Sequence, residues 1–240
     1  LHILESHGVN FTTEDVADEW LSHLPFGQVY TAERVAYRNL VNGLQPPETA
    51  TFWNPYREWI GAQIRADMWG YVTPGRPQRG AELAYRDARL SHVKNGIYGE
   101  MFIAAALSTA LVSQDVQEVL QFASSAVPSH SRLAQAVRDV LTWRRRCDGW
   151  EEAWEEVMGK YGSYHPVHTI NNLAFVVIGL LYGNKSLEDT IATSVMCGLD
   201  TDCNGATAGS IIGALLGARR LPSKWIEPLN DSIESAVMGF

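Results

Sequence analysis

Two carboxylates lie one residue apart in the segment Asp200-Thr201-Asp202-Cys203. A short turn between two buried helices would bring both carboxylates to one point, and the free carbonyl groups that end the first helix would add negative potential there. A hard divalent cation prefers oxygen ligands of this kind. The alternative is that Asp202 or Asn204 caps the following helix and that Asp200 is a solvated loop acid.

The elements that would position these carboxylates are predicted from the residues on either side. A four-residue apolar period over 187–195 predicts a short amphipathic helix that begins after Ser186 and ends at Gly198. A second helix, capped by Asn204, is predicted to carry a stripe of small residues: Gly205, Gly209, Gly213 and Gly217. Glycine weakens an exposed helix by about 1 kcal/mol relative to alanine. The stripe therefore predicts that another helix backbone lies close to this helix, and that the helix is central.

Residues 198–206, Gly-Leu-Asp-Thr-Asp-Cys-Asn-Gly-Ala, together with the small-residue helix that follows, resemble the C-terminal metal motif of the ADP-ribosylglycohydrolase family. This family includes the dinitrogenase-reductase-activating enzymes. The resemblance implies an all-α orthogonal multi-helix bundle with two metal ions, usually Mg²⁺ and sometimes Mn²⁺, in a central cleft. It also implies a substrate in which ADP-ribose is joined to a side chain or a small molecule. By the same resemblance, Asp200 and Asp202 are metal ligands.

The residue after the second acid departs from the family pattern. That position is often a Thr or Ser hydroxyl ligand in the family, and it is Cys203 in this chain. A neutral thiol is a poor ligand for magnesium. The third ligand is therefore the Thr201 hydroxyl, a backbone carbonyl or water, or else the site prefers a softer metal ion than magnesium.

Three residues outside this motif are candidates for substrate binding. Arg65 ends the segment Gly-Ala-Gln-Ile-Arg over 61–65, which resembles a family segment that brings an arginine to the ribose and diphosphate. An arginine on a helix is otherwise a surface ion-pair partner. His92 lies in a Ser-His-x-x-Asn-Gly pattern and matches a ligand-contacting histidine of the family; its alternative is a histidine at a helix end, where positive charge is favoured. Asn171 belongs to a stretch that resembles a family segment lining the cleft.

No catalytic residue is assigned from the sequence. Asp87 and Glu100 lie near the histidine motif, but neither fits a family role. The chain opens at Leu1, and the family's N-terminal block, with its glutamate and Thr-Asp-Asp motif, has no counterpart here. We therefore expect the numbering to begin inside a longer gene product. The segment Thr-Thr-Glu-Asp over 12–15 is similar to the missing motif, but the apolar helical period after it indicates a helix cap.

Composition limits the class of protein. The chain has 240 residues, of which 46% are hydrophobic and 19% are charged, which suits one compact domain over 1–240. A net charge of −8 argues against a nucleic-acid-binding protein. Three cysteines without paired spacing indicate reduced thiols and a cytoplasmic location. The longest apolar run, over 173–181, is too short to cross a bilayer of about 30 Å, so it predicts a core helix.

Sequential helices separated by glycine and proline, without a sustained period of two, predict an all-α domain. Helices are predicted over 31–41 and 78–91, and a helix buried on all sides is predicted over 101–112. Trp53, Tyr56, Trp59 and Ile60 recur at helical spacing and predict an aromatic helix face, in the core or lining a cleft.

Two functions follow from the residues and the resemblance together. The first is a metal-dependent hydrolase that cleaves the glycosidic bond between ADP-ribose and a side chain or small molecule; such a reaction passes through an oxocarbenium-like state that needs an oriented water and a stabilised leaving group. The alternative is a catalytically inactive ADP-ribose or nucleotide-binding module. Cys203 and the missing N-terminal block motivate this alternative.

Overall fold

A computed structural model describes residues 1–232 of the chain. Within these residues the regular structure is helical, and the β pairing consists of one isolated bridge between Trp59 and His168. The prediction of an all-α fold is therefore confirmed.

The α helices follow one another along the chain with short connections. Those in the first half are α1 (His2–His7), α2 (Thr13–His23), α3 (Thr31–Val41), α4 (Glu48–Thr51), α5 (Asp67–Tyr71), α6 (Pro77–Ala88) and α7 (Asn95–Ala110). Those in the second half are α8 (Val116–Ser125), α9 (Arg132–Trp143), α10 (Trp150–Tyr161), α11 (Thr169–Tyr182), α12 (Leu187–Met196), α13 (Thr201–Leu216) and α14 (Ser223–Ile226). A short 3₁₀ helix, Gln63–Arg65, precedes α5.

Helices α7 and α11 form the centre of the molecule. Of the 16 residues of α7, 14 are buried, and of the 14 residues of α11, 12 are buried. Helices α5, α6 and α8 pack on α7, whereas α9, α10 and α12 pack on α11. An apolar helix without a polar face must be covered on all sides, so the predictions of two buried helices, near 101–112 and 173–181, are confirmed.

Local signals in the sequence identified several helix limits correctly. Helix α3 has the predicted bounds. Thr12 is the N-cap of α2, where its hydroxyl accepts from the backbone N–H of Asp15 and the Asp15 carboxylate accepts from the backbone N–H of Thr12. This reciprocal pair satisfies two N–H groups that the helix leaves free. The Thr-Thr-Glu-Asp segment is therefore a helix cap, as the apolar period indicated.

The glycine stripe on α13 packs against a neighbouring helix, α12, but the predicted backbone contact is not found at Gly205 or Gly209. A Cβ added at Gly205 would lie 2.8 Å from Cγ2 of Val195, and one added at Gly209 would lie 3.2 Å from Cδ1 of Ile191. Branched side chains of α12, rather than a helix backbone, therefore occupy the space that the glycines leave. Helix α13 is also only partly buried, so it lies against the central helices and is not itself central.

The predicted aromatic helix face over 53–60 is also wrong. This segment consists of turns, and the Trp53 side chain at its start is 78% exposed. Its backbone pairs with other segments: the carbonyl of Arg57 accepts from Val93 and that of Glu58 accepts from Thr169. These tertiary hydrogen bonds replace the ones that a helix would have made.

None of the described helices combines the length and the apolar character that crossing a membrane requires.

Candidate metal centre

The acidic bend, residues 198–203, brings the predicted metal ligands together. One ligand atom from each of Asp200, Asp202 and Cys203 lies within 4.8 Å of the other two. Asp202 is exposed, while Asp200 and Cys203 are half-buried. The group is therefore compact and open to solvent on one side. Thr201, the fourth candidate, is half-buried between the two acids at the first position of α13.

The backbone before the carboxylates adopts an unusual conformation. Gly198 and Leu199 both have positive φ, at +84° and +62°. Leucine in this region costs about 1 kcal/mol or more, so the surrounding structure must hold it there. The Leu199 side chain packs against the hydrophobic core, and the indole N–H of Trp154 donates to the carbonyl of Cys197 at 2.8 Å. These contacts fix the chain on entry to the bend.

Asn172 ties the bend to the central helix α11. Its Oδ1 accepts from the backbone N–H of Asp200 at 3.1 Å and from Nδ2 of Asn204 at 2.8 Å. Its own Nδ2 donates to the carbonyls of Pro166 and His168, both at 2.8 Å. One fully buried amide therefore joins the start of α13 to the loop before α11.

The start of α13 differs from its prediction. The helix begins at Thr201 with Asp200 at the N-cap position, and the Asp200 side chain makes no capping hydrogen bond. Asn204 lies inside the first turn, where its amide bonds to Asn172 instead of capping the helix. The prediction that Asn204 caps this helix is therefore wrong, and Asp202 lies in the first helical turn rather than in the connecting turn.

The charges at the bend repel one another. Burial, and then the neighbouring Asp202 carboxyl, raise the pKa of Asp200. Burial and the two carboxylates also raise the pKa of Cys203, which keeps its thiol neutral. A bound cation would relieve this repulsion.

The donor set fits a hard divalent cation. Two carboxylates supply oxygen ligands, and exposure on one side leaves room for water, which Mg²⁺ and Mn²⁺ retain readily. The Oδ1 atom of Asn204 is buried and lacks a hydrogen-bond partner within residues 1–232, although its amide lies beside Asp200. The neutral thiol of Cys203 contributes little to binding such an ion.

Arg65 lies in a second group of charged residues, the Arg65 cluster, made of Glu33, Arg65, Asp87, Ser91, His92 and Glu100. The guanidinium donates to Asp87 Oδ2 at 2.6 Å, to Glu33 Oε1 at 2.7 Å and to Ser91 Oγ at 3.0 Å. Burial opposes the charge of Arg65, but the three carboxylates raise its pKa above the ordinary value. Burial, and then the neighbouring Asp87, raise the pKa of Glu100 well above its usual range.

His92 is fully buried in the same cluster. Its Nδ1 lies 2.8 Å from Ser91 Oγ, and its Nε2 lies 4.0 Å from Glu33 Oε1. Burial, and then the nearby Arg65, hold the pKa of His92 well below its usual range, so the imidazole is neutral. The structure therefore joins Arg65 and His92 to each other. Their role in substrate binding stays a prediction, because the guanidinium is already paired with carboxylates and the imidazole is not exposed.

Asn171 is buried at the start of α11 beside Asn172. Its Nδ2 donates to the carbonyl of His165 at 3.1 Å, and its Oδ1 accepts from the backbone N–H of Asn172. Its contacts are therefore local, and its role as a substrate ligand stays a prediction. The sequence reasoning missed Asn172, the neighbouring residue that contacts the bend.

The segments that carry the candidates meet near the start of α11. The hydroxyl of Thr169 donates to Oε1 of the buried Gln63 at 2.7 Å, which joins α11 to the 3₁₀ helix that ends at Arg65. That 3₁₀ helix also packs against α13. Three separate parts of the sequence, near 63–65, 165–172 and 198–204, therefore form one continuous region.

Asp67 is a further acid with a raised pKa. Burial raises its pKa to about 6, and it hydrogen-bonds to Ser210 on α13. Helices rise about 1.5 Å per residue, so Ser210 lies about 12 Å along the helix from Asp202. This distance places Asp67 outside direct reach of the acidic bend, despite a pKa that would suit an acid or base near neutral pH.

The helical fold agrees with the comparison to protein families. The family model described as ADP-ribosylglycohydrolase matches residues 1–239. The chain therefore belongs to the ADP-ribosylglycohydrolase family and is a hydrolase of ADP-ribose glycosidic bonds. The match does not separate the dinitrogenase-reductase-activating group from the rest of the family. No curated protein and no solved structure matches the chain.

Proposed function

We propose that this hydrolase depends on a divalent cation, Mg²⁺ or Mn²⁺, held by Asp200 and Asp202. The observation that carries the proposal is the convergence of these two carboxylates within 4.8 Å together with Cys203. Within residues 1–232, no lysine or arginine forms an ion pair with either acid. Two adjacent carboxylates with no cationic neighbour among these residues are what an added cation would stabilise.

The roles of the surrounding residues follow from their positions. Asn172 and the core contacts of Leu199 hold the carboxylates in place, so a bound ligand would meet a fixed group rather than a mobile loop. Asp202 is exposed to solvent, so a ligand that enters from solution can contact it. When bound, the cation would supply a charge that polarises a water molecule and holds ribose hydroxyls.

The proposed substrate is ADP-ribose joined to a side chain or to a small molecule, as the family indicates. The test measures hydrolysis of ADP-ribosylated arginine, ADP-ribosylated serine and an ADP-ribosyl ester, with magnesium or manganese added. We expect the double variant Asp200→Ala with Asp202→Ala to lose about 100-fold or more in kcat/KM. The exposed acid Asp148, changed to Ala, serves as the matched control and should retain full activity.

Chelation provides an independent arm of the same experiment. EDTA should abolish turnover by the wild type, and magnesium or manganese should restore it. Activity that survives both EDTA and the double substitution would rule out the proposed metal role.

The second candidate function is an ADP-ribose-binding module without turnover. It is favoured by the neutral thiol of Cys203, which occupies a position where the family often has a hydroxyl ligand. Titration calorimetry with ADP-ribose, combined with product analysis, separates the two functions. Binding of ADP-ribose without hydrolysis of any of the three substrates would support the module.

A further inference from the structure

Three histidines surround one glutamate near the beginning of the chain. The Nε2 atoms of His2 and His23 lie 3.0 Å and 3.4 Å from Oε2 of Glu19. On the other side of the carboxylate, Nε2 of His7 lies 3.0 Å from Oε1. Helix α1 contributes His2 and His7, while α2 contributes Glu19 and His23 at a spacing of four residues, on one helix face.

The geometry of three of these residues fits a single ion. One donor atom each from His2, Glu19 and His23 lies within 4.8 Å of the other two. A tetrahedral zinc ion with bonds of roughly 2.0–2.1 Å has ligand atoms about 3.3 Å apart. The two contacts to Glu19 Oε2, at 3.0 Å and 3.4 Å, lie on either side of that separation. The imidazole rings of His2 and His23 lie 4.5 Å apart at 73°, so they approach the carboxylate from different directions.

The central oxygen of this group lies within ion-pair distance of two imidazoles. Oε2 of Glu19 is buried, and within residues 1–232 it has no hydrogen-bond partner, although two imidazole nitrogens lie close to it. The Glu19 side chain is only 16% exposed. A metal ion among the three donors would bond directly to this oxygen and to both imidazole nitrogens.

We propose that His2, Glu19 and His23 form a binding site for a borderline divalent transition metal, with zinc as the expected occupant. Two imidazoles and one carboxylate are ligands that zinc accepts, and a fourth position faces solvent, where the three side chains are half-buried. Imidazole nitrogens select transition metals over Mg²⁺ and Ca²⁺, which prefer oxygen. The site is therefore chemically distinct from the acidic bend.

His7 is a positioning residue for this site. It contacts the carboxylate oxygen of Glu19 that does not face His2 and His23, and its Nδ1 lies 3.5 Å from Asp15. Hydrogen bonds from Thr12 lower the pKa of Asp15 and keep it ionised. A chain of contacts from the helix cap through Asp15 and His7 thus orients Glu19. Partners of this kind typically change metal affinity by about 10 to 100-fold when they are removed.

The site would also attach α1 to the rest of the molecule. Helix α1 contains no buried residue, and only Ile3 and Leu4 pack partly against the core. A metal that joins ligands from α1 and α2 would stabilise a helix that has little apolar contact of its own.

The experiment measures zinc binding by the metal-free protein, using zinc alone as the probe in competition with a chromophoric chelator. We expect one zinc equivalent to be lost in the variant His2→Ala with His23→Ala, and zinc affinity to fall about tenfold or more in His7→Ala. The control is His130→Ala, an exposed histidine outside the cluster, which should bind zinc like the wild type. The same measurements in the Asp200→Ala and Asp202→Ala background exclude a contribution from the acidic bend.

A second measurement requires no substitution, so it does not depend on the variants folding. Zinc should protect His2 and His23 of the wild type from acylation by diethyl pyrocarbonate, detected by peptide mass spectrometry, while His130 stays reactive. Magnesium should give no such protection. Equal zinc stoichiometry in the wild type and the double histidine variant, or modification of His2 and His23 that zinc does not slow, would overturn the proposal.

Discussion

The acidic bend and the Arg65 cluster both bring carboxylates together, but they balance the charge in different ways. In the Arg65 cluster, the guanidinium pairs with Asp87 and Glu33, and burial raises the pKa of the nearby Glu100. At the acidic bend, the carboxylates of Asp200 and Asp202 lie beside each other and a neutral thiol, with no cationic partner within residues 1–232. One group therefore contains its own cation, whereas we propose that the other binds a cation from solution.

This difference separates stability from function. A buried carboxylate with a built-in partner stabilises the fold as long as the partner is present, and removal of one member leaves an unpaired buried charge. A carboxylate pair without a partner weakens the fold in the absence of metal, because its members repel each other. We therefore expect substitutions in the two groups to change stability in opposite directions.

The largest effect is expected for Arg65→Met. This change leaves Glu33, Asp87 and Glu100 without their cation, and loss of one partner of a buried pair typically costs about 3–5 kcal/mol. Urea unfolding at pH 7 measures the change. The control is Arg146→Met, because Arg146 forms an exposed pair with Glu156 that is worth about 0–1 kcal/mol. Equal stability of the two variants would show that the cluster is not held by its arginine.

Asn172→Ala should cost about 2–3 kcal/mol. The substitution leaves polar groups at both ends of the amide without partners, including the N–H of Asp200 and the carbonyl of Pro166. It should also reduce the thermal stabilisation by magnesium, because the bend loses its anchor. Asn171→Ala is the matched control at the adjacent position, and it should leave the magnesium effect intact. If both variants respond equally to magnesium, Asn172 does not position the bend.

Asp67→Asn should stabilise the protein by about 2 kcal/mol at pH 7 and have little effect at pH 4. Burial raises the folded-state pKa to about 6, above the unfolded value of 3.8, so the native state binds the proton more tightly. The wild type therefore loses stability as the pH rises from about 4 to 6, and asparagine does not. Urea unfolding at several pH values measures the difference. A gain that is the same at pH 4 and pH 7 would contradict this account, and Asp148→Asn should show no pH-dependent change.

The smallest effect is expected for Asp200→Asn without metal. Removal of one charge relieves the repulsion with Asp202, and since Asp200 is half-exposed, solvent screening limits the gain to about 0.5 kcal/mol. Magnesium should raise the melting temperature of the wild type and not that of the variant. Calorimetry with and without magnesium makes the comparison. If the metal-free variant is destabilised, the charge of Asp200 is stabilised by a partner within the protein, as the carboxylates of the Arg65 cluster are.

Part of this structure could be predicted from the sequence because the signals are local. The capping residues of α2 lie within four positions of the sequence. The apolar runs of α7 and α11 predict that these helices are buried on all sides. The paired acids of the bend are also near neighbours, so their convergence needed only a helix start at Thr201. The spacing of the aromatic residues over 53–60 predicted a helix incorrectly, because the backbone of that segment forms hydrogen bonds with distant residues.

The partners of the bend and of Arg65 could not be predicted in this way. Successive helical residues point about 100° apart, so a pattern of two adjacent asparagines does not reveal that Asn172 rather than Asn171 faces the bend. Glu33, Asp87 and Glu100 come from separate helices, and no spacing in one sequence relates them to Arg65. Such long-range pairs are set by how the helices pack.

The hydrogen bond from Trp154 to the carbonyl of Cys197 has a consequence for how this sequence can diverge. Helix α10 has an outer surface rich in glutamates, where most substitutions should be tolerated. The indole is different, because a phenylalanine there would keep the apolar contact and leave the final carbonyl before the bend unpaired. A substitution of Trp154 would therefore alter the position of the carboxylates at the acidic bend, although most other substitutions on the outer surface of α10 would not.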